Sequence, residues 1–211
     1  KASAFVFDAN LYILNGHEYL VYDGSTIKPV EPYVPKIVIS SPPTGGGTPF
    51  EEWNLLGEGF RQTFNTDGTA KTFKLSLDGL NGRAVTAKHL INDTVYTEGN
   101  GLTVDREKGE VTFNAAPAKA GDGVNELEIT AYKTQEGFVE RITGCNAWNI
   151  YGGSNDTRIH LYGNPNFTSR VFRSGLNDPT YWPENSFNQF GSESNVVTGK
   201  VNHYDSSVVF T

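Results

Sequence analysis

The side chains best suited to metal binding or nucleophilic chemistry are four histidines, His17, His89, His160 and His203, and a single cysteine, Cys145. No two histidines lie at metal-ligand spacing, and Cys145 has no Cys or His near it in sequence. Cys145 has no partner for an internal disulfide and reads as a small buried apolar residue rather than a reactive thiol. His160 alternates with Ile159 and Leu161 in a strand pattern, which predicts that it faces solvent or a partner.

Carboxylates are more numerous: Glu51, Glu52, Asp78, Asp105, Glu107, Asp156, Asp178 and Glu184. A glycosidase needs two of them about 5–10 Å apart across a sugar cleft. Most sit in turn contexts, where Asp and Asn side chains bond their own backbone. Gly45-Gly46-Gly47 lacks the Lys-Ser/Thr that completes a phosphate-binding P-loop, so it reads as a structural loop. No Gly-x-Ser-x-Gly elbow is present. The expectation is a chain with no catalytic residues, no cofactor and no metal. Asn92, Asn155 and Asn166 fall in Asn-x-Ser/Thr triplets and, without a secretion signal, are read as unmodified. Aromatics offer a different chemistry, contact with a protein or a sugar. Tyr181 and Trp182, before Pro183, and Trp53 and Phe60 are the candidate interface residues, with Phe64 as a further member of a sugar groove. A packed turn is the competing reading for Trp182.

These residues need a framework, and composition says which. Glycine is abundant, at 23 of 211 residues, and aromatics make up 12 %. Many aromatic and β-branched residues stand in short runs between Gly, Asn and Asp, which is strand-and-turn composition. The net charge of −7 gives no electrostatic reason to coat nucleic acid. No stretch approaches the roughly 20 apolar residues of a membrane helix, and no charged-then-apolar start suggests a signal peptide.

Three regions separate along the chain. Residues 1–32 read as a meander: Phe5 to Phe7, Leu11 to Leu14 and Tyr19 to Tyr22 are apolar runs, separated by the turn signals Asn15-Gly16 and Asp23-Gly24. Residues 33–140 open on Pro35, Pro42, Pro43, the three glycines and Pro49. They continue as strands at regular spacing, Thr69 to Leu77, Thr94 to Thr97, Leu102 to Val104, Glu110 to Phe113 and Glu126 to Tyr132, which predicts a small β-sandwich. Residues 141–211 return to the first style, with one or two helical turns expected over 143–150. Strands are expected at Thr157 to Tyr162, Arg170 to Ser174, Asn195 to Thr198 and Ser207 to Phe210. The simplest architecture is all-β: a β-meander, β-propeller-like body from 1–32 and 141–211, with the sandwich of 33–140 inserted in it. A chain that starts and stops beside strands is expected to be a piece of a larger protein.

The third region is the most specific. Its residues Gly152-Gly153-Ser154-Asn155-Asp156-Thr157-Arg158, then Gly163-Asn164-Pro165, then Ser174-Gly175-Leu176-Asn177-Asp178-Pro179-Thr180-Tyr181-Trp182-Pro183-Glu184-Asn185, form one block. The block resembles "GG-x-NDTR … GNP … SGLNDPTYFPEN" of phage virion, or packaged-DNA, stabilisation proteins, with Trp182 where that pattern has Phe. Leu11 to Gly16, Tyr22-Asp23-Gly24, Ser41 to Pro49 and Asn54-Leu55-Leu56 resemble the same proteins. The resemblance spans most of the chain and is loosest in the middle region.

The resemblance implies a propeller-like head-to-tail or tail-hub component of a tailed phage. Such a component lies in the virion, assembles in the bacterial host cytoplasm and works by fitting to other virion proteins (portal, adaptor or tail subunits). It implies a homo-oligomer near packaged DNA without specific binding to it, and it brings no catalytic residues. The alternative is a carbohydrate-binding or adhesin β-domain of a phage tail, with a host glycan as partner. A glycan-cleaving enzyme is a third class and requires two facing carboxylates.

Overall fold

The computed structural model describes residues 2–152, 157–204 and 206–211. The Gly153–Asp156 part of the block above, with the Asn155 triplet, lies outside the described residues. The chain is essentially all-β, 43 % strand against 2 % helix. It divides into two compact units. The first comprises Lys1–Tyr33, Asn54–Gly57 and Glu136–Thr211, and the second Val34–Trp53 and Glu58–Gln135. Four residues of the expected insert, Asn54–Gly57, therefore belong to the first unit.

The first unit begins with an antiparallel meander, β1 (Ser3–Phe7), β2 (Asn10–Leu14), β3 (Tyr19–Tyr22) and β4 (Ile27–Pro29), paired in sequence order. Phe7 pairs with Asn10, so Asp8 and Ala9 alone make the first turn, both at positive φ (47° and 59°). That geometry matches the strand twist, and Ala9 adopts it without the glycine that usually marks such a turn. The signalled Asn15-Gly16 turn works differently. Leu14 pairs with Tyr19 across a four-residue loop, in which Asn15 Oδ1 accepts from the N–H groups of His17 (2.8 Å) and Glu18 (2.6 Å). Asp23 does the same for Ser25 and Thr26, and these bonds hold its carboxyl well below the usual carboxylate range.

A short helix, α1 (Val139–Thr143), leads into a second meander: β14 (Ala147–Tyr151), β15 (Arg158–Tyr162), β16 (Arg170–Arg173) and β17 (Phe187–Gln189). A hairpin, β18 (Gly199–His203) and β19 (Ser206–Phe210), follows. β1 lies against β14, and β14 against β18.

Two local expectations are corrected. The helical turns expected over 143–150 are displaced: α1 ends at Thr143, and 147–151 is strand. Asn164 Nδ2 donates to the last helical carbonyls, of Glu140 (2.8 Å) and Arg141 (3.0 Å), which terminates the helix. From Ala147 the backbone pairs with β15. The strand expected at Asn195 to Thr198 is irregular, because its donors go to isolated partners. Val197 N–H bonds Thr168 O, and Thr198 N–H bonds Phe210 O.

The first unit's core is aromatic. Phe5 and Tyr12 are register partners whose rings stack at 5.3 Å. Tyr12 continues to Tyr19 at 5.7 Å, and Tyr19 meets the edge of Trp182 at 6.2 Å. Leu14, Val30, Leu55, Ile142, Cys145, Ile159, Leu161 and Phe172 complete this cluster. Asn54 ties its loop in place by using all of its side-chain bonds. Nδ2 donates to Tyr33 O and Thr180 O, both at 2.8 Å, and Oδ1 accepts from Trp182 N–H at 2.9 Å and Leu56 N–H at 3.2 Å.

The second unit holds β5 (Lys36–Ser41), β6 (Thr48–Pro49), β7 (Gly59–Phe64), β8 (Thr72–Lys74), β9 (Thr86–His89), β10 (Val95–Glu98), β11 (Gly101–Asp105), β12 (Glu110–Phe113) and β13 (Leu127–Tyr132). The expected small sandwich is realised as one curled sheet of order β6-β5-β7-β13-β9-β10-β11-β12-β8. β13 alternates buried and half-buried residues and pairs with both β7 and β9, which joins the strands into one ladder. β7 and β8 are far apart in that ladder, yet Phe64 and Phe73 meet edge to face at 5.4 Å, and Phe73 meets Phe113 at 5.5 Å. The curl thus wraps one core. The Gly45–Gly47 loop helps to close it: Lys74 N–H donates to Pro43 O (2.8 Å), and Ser41 Oγ donates to Gly46 O (2.7 Å). A Cβ at Gly47 would stand 2.5 Å from Ser41 Oγ, so the third glycine is sterically required.

Candidate functional site

β15 divides the interior of the first unit. Ile159 and Leu161 enter the aromatic core, so Arg158, His160 and Tyr162 project from the opposite face. There the register aligns Asn149 of β14, His160 of β15 and Arg173 of β16 in one cross-strand row. The β18–β19 hairpin covers this face. Lys200 Nζ donates to Asn149 Oδ1 (2.8 Å), Asn202 Nδ2 donates to Ile150 O (2.7 Å), and Val209 packs on the cluster of Tyr162, Val171 and Val197. His160 is therefore buried, at 8 % exposure, rather than turned to solvent. The alternation pattern was sound, but the face it identified is roofed by strands 40 residues away.

A cavity of about 390 Å³ lies between sheet and hairpin. Arg158, His160 and Arg173 line it from the sheet, Lys200 and Ser207 from the hairpin, and the Tyr151 ring stands 5.0 Å from the Lys200 ammonium. Among the described residues no carboxylate lines it. Burial, then the charges of Lys200, Arg173 and Arg158, pull the His160 imidazolium down to about 3, so the ring is neutral at pH 7. Burial lowers the Lys200 ammonium to about 8. Three polar atoms here are buried without a hydrogen-bond partner: His160 Nδ1, Arg173 Nε and Ser207 Oγ. The site is a cradle of donors and positive charge, which suits an anion and repels a metal ion.

The residues singled out by sequence lie elsewhere. Trp182 is fully buried, its Nε1–H donating to Pro179 O at 2.9 Å, which is the packed-turn arrangement. Tyr181 is half-buried, with its ring 5.1 Å from that of Tyr33. Trp53 and Phe60 face the interior of the second unit, with ring centroids 5.5 Å apart, and Phe64 is buried with them. The Trp53, Phe60, Phe64 and Trp182 rings bury their area in packing. Asp178 accepts from Thr180 N–H (2.8 Å), and Asp105 from Lys108 N–H (3.1 Å), both as turn carboxylates. Among the described residues no group of three His, Cys, Asp or Glu side chains converges as a metal site. Burial raises the Cys145 thiol far above the ordinary thiol range.

His89 belongs to a different cluster, in the second unit. Its Nε2–H donates to Ala118 O (2.8 Å) and stands 3.7 Å from Glu126 Oε2. Glu126 accepts from the N–H groups of Ala120, Gly121 and Gly123 and from Thr66 Oγ1, at 2.6–2.9 Å. Those bonds, that from Ala120 foremost, hold its carboxyl down to about 2. This network closes the 118–126 loop and leaves no donor open.

No family model, curated protein or solved structure matches this chain.

Proposed function

We propose that the chain is a structural virion protein of a tailed phage, a head-to-tail or tail-hub component that stabilises packaged DNA through protein–protein assembly. The observation that carries this reading is the outer face of the β18–β19 hairpin. Val201 and Val208, register partners, are 48 % and 41 % exposed, and Phe210 is 51 % exposed. A two-stranded sheet with an apolar face and an unpaired outer strand is marginal by itself and invites a neighbour. The virion-protein resemblance supports the reading from another side. Its residues Asn54, Asn164, Ser174 and Trp182 are buried pins of the body, so the likeness lies in the framework rather than in a surface decoration. The partners in this reading are portal, adaptor or tail subunits and further copies of the chain.

The sugar-binding alternative needs an aromatic groove, and Trp53, Phe60 and Phe64 are buried, so no observation favours it. The test is a reconstruction of purified virions of the encoding phage. Density for this fold at the head–tail junction or tail hub, with the β18–β19 face against a neighbouring subunit, is expected. Absence of the chain from purified particles overturns the reading.

A further inference from the structure

We propose that the cavity between the β14–β17 sheet and the β18–β19 hairpin is a binding site for a phosphate-class oxyanion. This goes beyond the assembly reading and stands on different residues.

The first argument is charge. Arg173 from the sheet and Lys200 from the hairpin face one cavity in a chain whose net charge is −7. Bringing like charges together out of water costs free energy unless a counter-charge joins them. No carboxylate among the described lining residues supplies it. The second argument is hydrogen bonding. Buried polar groups are nearly always bonded, yet His160 Nδ1, Arg173 Nε and Ser207 Oγ are not. His160 is more than nine-tenths buried, and its neutral ring can carry a proton on Nδ1 and donate it.

The third argument is shape. Donors come from two adjacent strands of the sheet and from the hairpin opposite, so they surround a point rather than line a plane. A tetrahedral oxyanion, with acceptors on all sides and up to two negative charges, satisfies that arrangement better than a planar carboxylate. The volume of about 390 Å³ exceeds one phosphate and falls in the range of small-ligand sites. It leaves room for a small group esterified to the phosphate, stacked toward Tyr151.

Thermal denaturation in inorganic phosphate, against chloride at equal ionic strength, tests this. Binding to the folded state alone raises Tm, by roughly 3–6 °C at tenfold excess over Kd. Lys200→Met and Arg173→Met each abolish the rise, while Ser207→Ala, the mildest change to the fold, reduces it. Repeating the titration with glucose 6-phosphate separates the sources. A rise with phosphate only assigns the site to the free ion; a rise with both assigns it to a phosphoryl group on a larger molecule. No rise above chloride, as when the chain's own carboxylate fills the cradle, overturns the proposal. So does a rise that survives in both Lys200→Met and Arg173→Met.

Discussion

Each unit of the molecule buries a histidine among charged side chains, and the two clusters end differently. Around Glu126 the accounting closes: one carboxylate meets three backbone N–H groups, a hydroxyl and a nearby His89, and the loop it closes has nothing left to offer. Around His160 it does not close: cations outnumber anions among the described lining residues, and three polar atoms have no partner. A satisfied buried network is a structural staple. An unsatisfied one of single sign is destabilising when empty, and that latent cost is available to drive binding.

The largest effect should come from breaking the closed cluster. Glu126→Ala strands three backbone donors in the interior and is expected to lower the Tm of the second unit by roughly 10 °C or more, as followed by calorimetry. Acid sharpens the same point. The Glu126 carboxyl titrates lower in the folded chain than in the unfolded one, so its contribution is complete above the ordinary carboxylate range. It is lost as pH falls from about 4.5 toward about 2. Glu126→Gln should flatten that limb of the stability–pH curve; an unchanged limb would contradict the staple.

The open cluster should respond in the opposite sense. Lys200 titrates at about 8 when folded and near the ordinary 10.5 when unfolded. Between those values the unfolded chain holds a proton that the folded one lacks, so stability rises with pH across the window. Lys200→Met should remove this alkaline gain and, in phosphate-free buffer at pH 7, leave Tm unchanged or raise it by about 2–4 °C. A fall of several degrees would mean that the amine is a structural bond to Asn149 and little else. Smallest of all, Ser207→Ala should move the phosphate-free Tm by less than about 2 °C, because its hydroxyl bonds nothing there. A larger loss would show the cavity to be part of the packing.

The difference between the clusters also marks where sequence reading stops. Strand-and-turn chemistry is local, so Glu110–Phe113 appears as a strand with the bounds read for it, and Leu127–Tyr132 differs by one residue. Alternation around Ile159 and Leu161 identified two faces of β15. What covers each face is decided by β18 and β19, whose strand pattern carries no address. Lys200 and Asn149 meet across 51 residues of sequence, and Arg173 meets His160 only through register. The aromatic candidates failed for the complementary reason: Trp53, Phe60 and Trp182 advertise contact area, and the cores claimed it first. The helical turns expected over 143–150 miss their place because the residue that ends the helix, Asn164, lies beyond that window.

The brief return of Asn54–Gly57 to the first unit bears on modularity. An ordinary inserted domain is a cassette, with one entry and one exit, and recombination can delete it or exchange it whole. Here excising 34–135 would also remove Asn54–Gly57, and with Asn54 the three bonds that hold Tyr33, Thr180 and Trp182 in register. The body would lose a fastener along with its passenger. Any natural or engineered swap must therefore carry an equivalent of this tetrapeptide at the right distance from both seams, which makes the two units co-inherited parts rather than interchangeable ones.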